Sequence, residues 1–144
     1  VFACLKKGEM SSTAGGNPVG SAAVVAVLEI MERENLCENA RKMGDLFMHR
    51  LRKIQEKSRY LGDVRGRGLV IGLEIVKDKK TKEPAPDLIR PIIDNAAANG
   101  LLIGSVGIHG NVIRVAPPLV IDDAQAHESC DIMEKVLRGL EDKS

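Results

Sequence analysis

The sequence predicts an α+β fold, with helices covering a largely antiparallel sheet. Apolar residues recur every three or four positions in three segments, which marks one buried face of a helix. Short runs rich in Val, Ile and Leu, bounded by glycine and proline, read as strands. These strands come in neighbouring pairs, with helices kept to one side, as an antiparallel sheet implies.

The elements follow in order. Residues 1–16 read as a short helix or turn running into a glycine loop. Asn17 is a good N-cap, and Pro18 suits the first helical position, where a missing N–H costs nothing. That helix runs to about Glu34, and Ala22, Ala23 and Ala26 allow another element to approach closely. Asn35 is placed to cap a second helix, striped by Leu36, Ala40, Met43, Phe47, Leu51 and Ile54. After Lys57 the period changes, and residues 61–66 and 68–76 read as strands. Pro84 and Pro86 mark a loop. Ile89, Ile92, Ile93, Ala96 and Ala97 form a third helix, with Pro91 confined to its first turn and Gly100 as its stop. Two short strands follow at 101–105 and 111–115. Asp122 or Asp123 caps a last helix that buries Ile132, Met133, Val136, Leu137 and Leu140. A domain boundary is expected near residues 57–61, so that 1–58 and 59–144 form different blocks.

Composition narrows the function. The 144 residues suffice for a core, and 44% apolar content argues against disorder. Aromatics are 2%, so the core must be aliphatic. A formal charge of +1, with acids and bases mixed, argues against nucleic acid as a partner. The basic run 77-KDKKTK-82 reads as a solvated turn. Cys4, Cys37 and Cys130 fit neither a disulfide framework nor a zinc site, which favours a reducing compartment. No apolar run approaches the roughly 20 residues of a membrane span. The chain opens on Val-Phe rather than Met, so it is expected to be part of something longer.

Several segments are candidates for chemistry. In 11-SSTAGGNPVG-20, hydroxyls of Ser11, Ser12 and Thr13 and two glycines precede a helix start. Free N–H groups and the positive dipole end there suit a phosphate, although a plain capping loop has the same composition. No Gly-Lys-Ser/Thr follows, so this is not a Walker loop. In 109-HGNVIRVAPPL-119, strand alternation puts Val112, Arg114 and Ala116 on one face and Ile113 and Val115 on the other. Arg114 is a lone charge whose planar fork suits a carboxylate. A structural pair with an internal acid, or an exposed edge position, accounts for it equally. The glycines of 63-DVRGRGLVIG-72 precede a strand rather than a helix, which excludes a dinucleotide loop and leaves a sharp turn or bulge. Arg65 and Arg67 are then paired or solvated. His49, His109 and His127 are scattered, without metal spacing, and no metal site is expected.

Three motifs in register carry a resemblance. The segments 8-GEMSSTAGGNPVG-20, 63-DVRGRGLVIGLEIV-76 and 110-GNVIRVAPPLVI-121 together resemble the carboxy-terminal third of class III, pyridoxal-phosphate-dependent aminotransferases. The pattern is similar to the 4-aminobutyrate, ornithine and alanine–glyoxylate types. The resemblance implies that Ser12 and Thr13 bind the phosphate of pyridoxal 5'-phosphate in a neighbouring subunit of a homodimer. It implies that Arg114 binds a substrate carboxylate. Residues 1–58 would then end the large cofactor-binding domain, and 59–144 would form the small carboxy-terminal domain. The family pattern has an aromatic residue where Ala14 stands. Its Schiff-base lysine lies upstream of this chain, and Lys6 and Lys7 do not match that lysine. No catalytic residue is therefore assigned here, and the isolated chain is expected to be inactive. The implied reaction of the whole protein moves an amino group from an amino acid or ω-amine to a 2-oxo acid. The implied setting is the cytoplasm or the mitochondrial matrix. A racemase or decarboxylase of the same class, or a stand-alone dimerisation or anion-binding module, are the alternatives.

Overall fold

The computed structural model describes residues 12–141. The helix or turn expected at the amino terminus, with Cys4, Lys6, Lys7 and Ser11, lies outside the described residues. The described residues fall into two compact units, one ending at Asn35 and the other beginning at Leu36. The boundary read near residues 57–61 lies inside the second unit, at the turn from its first helix into its first strand.

The first unit is built on α1 (Pro18–Arg33). Asn17 caps it as expected, its side-chain Oδ1 accepting from the N–H groups of Val19 and Gly20 at 2.9 and 3.1 Å. Asn35 does not act as the cap expected for the next helix. It has φ 49° and donates its N–H to the Glu32 carbonyl, so it terminates α1. Asparagine is among the few non-glycine residues that tolerate this left-handed backbone.

The second unit contains α2 (Leu36–Lys57), β1 (Leu61–Arg67), β2 (Val70–Ile75), α3 (Ile89–Ala98), β3 (Gly104–Val106), β4 (Val112–Val115) and α4 (Asp123–Glu141). The strands form one sheet in the order β1-β2-β4-β3, and every neighbouring pair is antiparallel. The α+β expectation holds. The helical stripes are the ones the periodicity marks: Met43, Phe47, Leu51 and Ile54 of α2, and Met133, Val136 and Leu137 of α4. They meet Val64, Ile71, Leu73 and Ile113 of the sheet and Ile89 and Ile92 of α3 in a single aliphatic core. Helices cover that face alone, and Arg65, Arg67, Val70 and Arg114 of the opposite face are exposed.

Local chemistry sets the joints. The β1–β2 hairpin turns at Gly68, φ 54°, and α2 crosses it closely: a Cβ on Gly44 would fall 2.5 Å from the Gly68 carbonyl oxygen. At the end of α3, Leu101 N–H donates to Ala96 and Gly100 N–H to Ala97, at 2.9 and 3.0 Å. This is the Schellman arrangement, with Gly100 at φ 89°. It explains why the strand expected from residue 101 begins only at Gly104: the Leu101 N–H is already spent on the helix end. At the start of α4, Asp122 Oδ1 accepts from Gln125 N–H and Gln125 Oε1 accepts from Asp122 N–H, a reciprocal capping box.

One buried polar residue locks the sheet. Asn111, 2% exposed, sits just before β4. Its Nδ2 donates to the Ile75 carbonyl at 2.9 Å, and its own carbonyl accepts the Ile75 N–H at 2.8 Å. Replacing it by leucine removes a buried donor from that joint, so Asn111→Leu should cost roughly 1–3 kcal/mol. The shift of the urea unfolding midpoint measures this, and an unshifted midpoint would deny Asn111 a structural role.

The core also contains Cys130, fully buried, whereas Cys37 is exposed. Burial pushes the Cys130 thiol up from its ordinary 9.0 to about 11. In the unfolded chain this thiol ionises first. The stability it confers is therefore complete below about pH 9 and fades as pH rises through about 11. Cys130→Ala should flatten the alkaline decline of the unfolding midpoint over that window. An equally steep decline in the variant would contradict the assignment.

Candidate functional site

The resemblance singles out Ser12, Thr13 and Arg114. Ser12 and Thr13 belong to the first unit and Arg114 to the second, and each unit is described on its own.

In the first unit, Ser12 and Thr13 lie in an exposed turn that runs through Gly16 to the cap of α1. Gly15 N–H approaches the Ser12 carbonyl at 3.4 Å, and Asn17 N–H donates to Ala14 at 3.2 Å. A Cβ on Gly15 would come within 3.1 Å of the Ser12 Oγ, and Gly16 has φ 73°. The positive φ calls for glycine at 16, whereas a side chain at 15 would only crowd Ser12. The first N–H groups of α1 are not open: Val19 and Gly20 donate to the Asn17 side chain, and Ser21 donates to the Asn17 carbonyl at 2.8 Å. What the turn leaves open to an anion is the exposed Ser12 and Thr13 rather than the helix end.

In the second unit, Arg114 points from the exposed face of the sheet. Its guanidinium has no hydrogen-bond or ion-pair partner among the described residues. It is on an internal strand, between β2 and β3. Among the described residues it thus shows neither the structural pair nor the edge position that the residues alone left open. Arg65 behaves differently. It donates to Asp63 at 2.7 Å and also to Glu74, and these bonds hold its guanidinium above the ordinary arginine range. Arg67 is solvated.

Register decides what surrounds Arg114. Arg65 faces Gly72, Gly72 faces Arg114, and Arg114 faces Gly104, so one row crosses all four strands. Residues directly opposite in such pairs project to the same face. Arg114 therefore has bare backbone on either side. β3 and β4 also border a groove of about 840 Å³ whose walls include Phe47, Leu51, Cys130 and Met133 of the helix-covered side, the face opposite the guanidinium's. The Pro117–Pro118 rim is tied down by Asn39 of α2, whose Nδ2 donates to the Leu119 and Ile121 carbonyls at 2.7 and 3.0 Å. Asn39, Gly72 and Gly104 were not legible as site residues, because each acquires its role from a partner distant in sequence. The exposed guanidinium offers a planar cation with bare backbone on either side, which suits a carboxylate.

Among the described residues no group of three His, Cys, Asp or Glu is placed to hold a metal ion. No described helix is long and apolar enough to cross a membrane.

Comparison with known proteins gives these observations a family. Residues 1–137 match the family described as aminotransferase class III. The chain is 42% identical over 134 residues to an alanine/serine racemase of Pyrococcus horikoshii, covering 93% of this chain and 28% of that protein. It is 45% identical over 115 residues to the mitochondrial alanine–glyoxylate aminotransferase 2 homolog 2 of Arabidopsis thaliana, covering 78% and 24%. A Bacillus anthracis aminotransferase structure superposes with a TM-score of 0.83 at 35% identity, covering 93% of this chain and 32% of that one. The chain spans less than a third of the length of each of these relatives. Members of this family depend on pyridoxal phosphate. With its α+β fold and its three motifs in register, the chain belongs to the class III aminotransferase family.

Proposed function

We propose that the whole protein transfers an amino group from an amino acid or ω-amine to a 2-oxo acid. In this reading Arg114 receives the carboxylate of the substrate, and Ser12 and Thr13 hold the cofactor phosphate in the site of a second copy. The observation that carries it is the guanidinium of Arg114, without a partner among the described residues, exposed on an internal strand and bordered by Gly72 and Gly104. An arginine with a structural duty is paired, as Arg65 is with Asp63 and Glu74.

The residues present fit the cofactor's phosphate. The Ser12 and Thr13 side chains are exposed in a turn kept open by Gly15 and Gly16, and hydroxyls donate readily to phosphate oxygens. Pyridoxal phosphate, when bound, supplies the electron sink for chemistry at the amine-bearing carbon. The work left to this chain is binding and orientation. Ser12 and Thr13 anchor an anion, and Arg114 grips a carboxylate with two parallel N–H bonds. A substrate held at its carboxylate loses rotational freedom, which presents the reacting carbon in a constant orientation.

A lysine at position 114 keeps the charge but loses the fork. Arg114→Lys should weaken binding of carboxylate substrates by about 1–3 kcal/mol, read as a raised KM. A donor amine without a carboxylate should be affected far less. Equal KM values for carboxylate substrates in the two proteins would remove Arg114 from the site.

A second reading is supported by the racemase from Pyrococcus horikoshii among the relatives. Racemisation also needs a gripped carboxylate, so Arg114 serves both. The reactions separate in one assay with the whole protein and a single L-amino acid. Without a 2-oxo acid, a transaminase should leave the enantiomeric purity unchanged over many turnovers' time. With a 2-oxo acid added, it should release a new amino acid. Accumulation of the D-enantiomer without acceptor would favour the racemase.

A further inference from the structure

We propose that Gly104 is a specificity-determining position, the open side through which the body of a carboxylate ligand extends from Arg114. This rests on Arg114 being the carboxylate site.

The sheet row is asymmetric around Arg114. On the β2 side, Gly72 separates Arg114 from Arg65, which is already held by Asp63 and Glu74. That side is closely filled: a Cβ on Gly72 would lie 3.3 Å from the Val112 side chain. On the β3 side, Gly104 is followed by no further strand, and a Cβ built there meets nothing within 4 Å. Gly104 and Arg114 are directly paired and so share the exposed face. Along β4 the same-face neighbours are Val112, which is buried, and Ala116, which is small. A ligand whose carboxylate meets the guanidinium can therefore place its remaining atoms over β3 and not over β2. Directly opposed Cβ atoms in an antiparallel pair are about 5 Å apart, so any side chain at 104 would stand in that path. Gly104 lacks the positive φ of Gly68 or Gly107, so its backbone does not itself call for glycine. The absence of a side chain is what matters at this position.

The prediction concerns the length of the ligand. The whole protein, loaded with pyridoxal phosphate, is titrated calorimetrically with pyruvate and with 4-methyl-2-oxopentanoate. Gly104→Val should raise the ratio of the two Kd values against the longer acid by about tenfold or more, the scale on which apolar pockets discriminate. Gly104→Ala should move the ratio the same way by less, and it serves if the valine variant does not fold. Arg114→Lys should weaken both acids and leave the ratio near its original value. If Arg114→Lys weakens both but neither Gly104 variant moves the ratio, Gly104 is no determinant and the carboxylate role of Arg114 stands. If Arg114→Lys weakens neither, the carboxylate site is wrong and this inference falls with it.

Discussion

The reciprocal bonds between Asn111 and Ile75 set the register on which the exposed face of the sheet depends. Side chains along a strand alternate with a period of two. A shift of β4 by one residue against β2 would carry Ile113 to solvent and Arg114 into the aliphatic core. The cost of burying an unpaired guanidinium makes that alternative prohibitive. The amide of Asn111 adds a positive specification, because its donor meets the Ile75 carbonyl in the native register. Hydrophobic pattern and buried polar pairing thus demand the same alignment, and consistency of this kind is what makes one fold win.

The division of the sheet into a covered and an open face follows from where helices can dock. α2 approaches the hairpin so closely at Gly44 and Gly68 that only bare backbone fits. α4 lies alongside α2, joined across the surface by Arg50 to His127 and Asp131 and by Lys42 to Asp123. These exposed pairs add little stability singly. The apolar stripes beneath them, Met43 to Ile54 and Ala126 to Leu137, provide the main attraction. With α2, α3 and α4 committed to one side, the other side keeps its charges in water. There Arg65 is neutralised by neighbours on its own hairpin, while Arg114 is left without a counter-charge among the described residues. An exposed guanidinium without a counter-charge there is open to an anionic partner.

The turn ahead of α1 shows how a local device can consume what a sequence motif seems to offer. A glycine-rich stretch before a helix suggests open N–H groups. Asn17 is so effective a cap that it takes those donors itself. What the stretch still presents is hydroxyl chemistry from Ser12 and Thr13, displayed by glycines that allow the backbone to turn sharply.

Much of this architecture is written in local signals. The α+β class, the helical stripes, the Asn17 cap, the Gly100 stop and the hairpin at Gly68 each arise from residues within a few positions of one another. Arg114 was conspicuous for the same reason, as the one charge in an apolar strand. Three features escaped. Residues 101–103 looked like strand but serve the end of α3. Asn35 looked like a cap but closes the helix before it. The glycines at 72 and 104 fell inside segments read as strand and were not singled out as neighbours of Arg114. By itself, then, the sequence determined which segments are helix or strand and which charge stands out, since propensity and periodicity act over short range. Only the tertiary structure decided that Arg114 is unpaired among the described residues, internal to the sheet and bordered by glycine. Strand order and register join residues far apart in the chain, and no local pattern encodes that pairing.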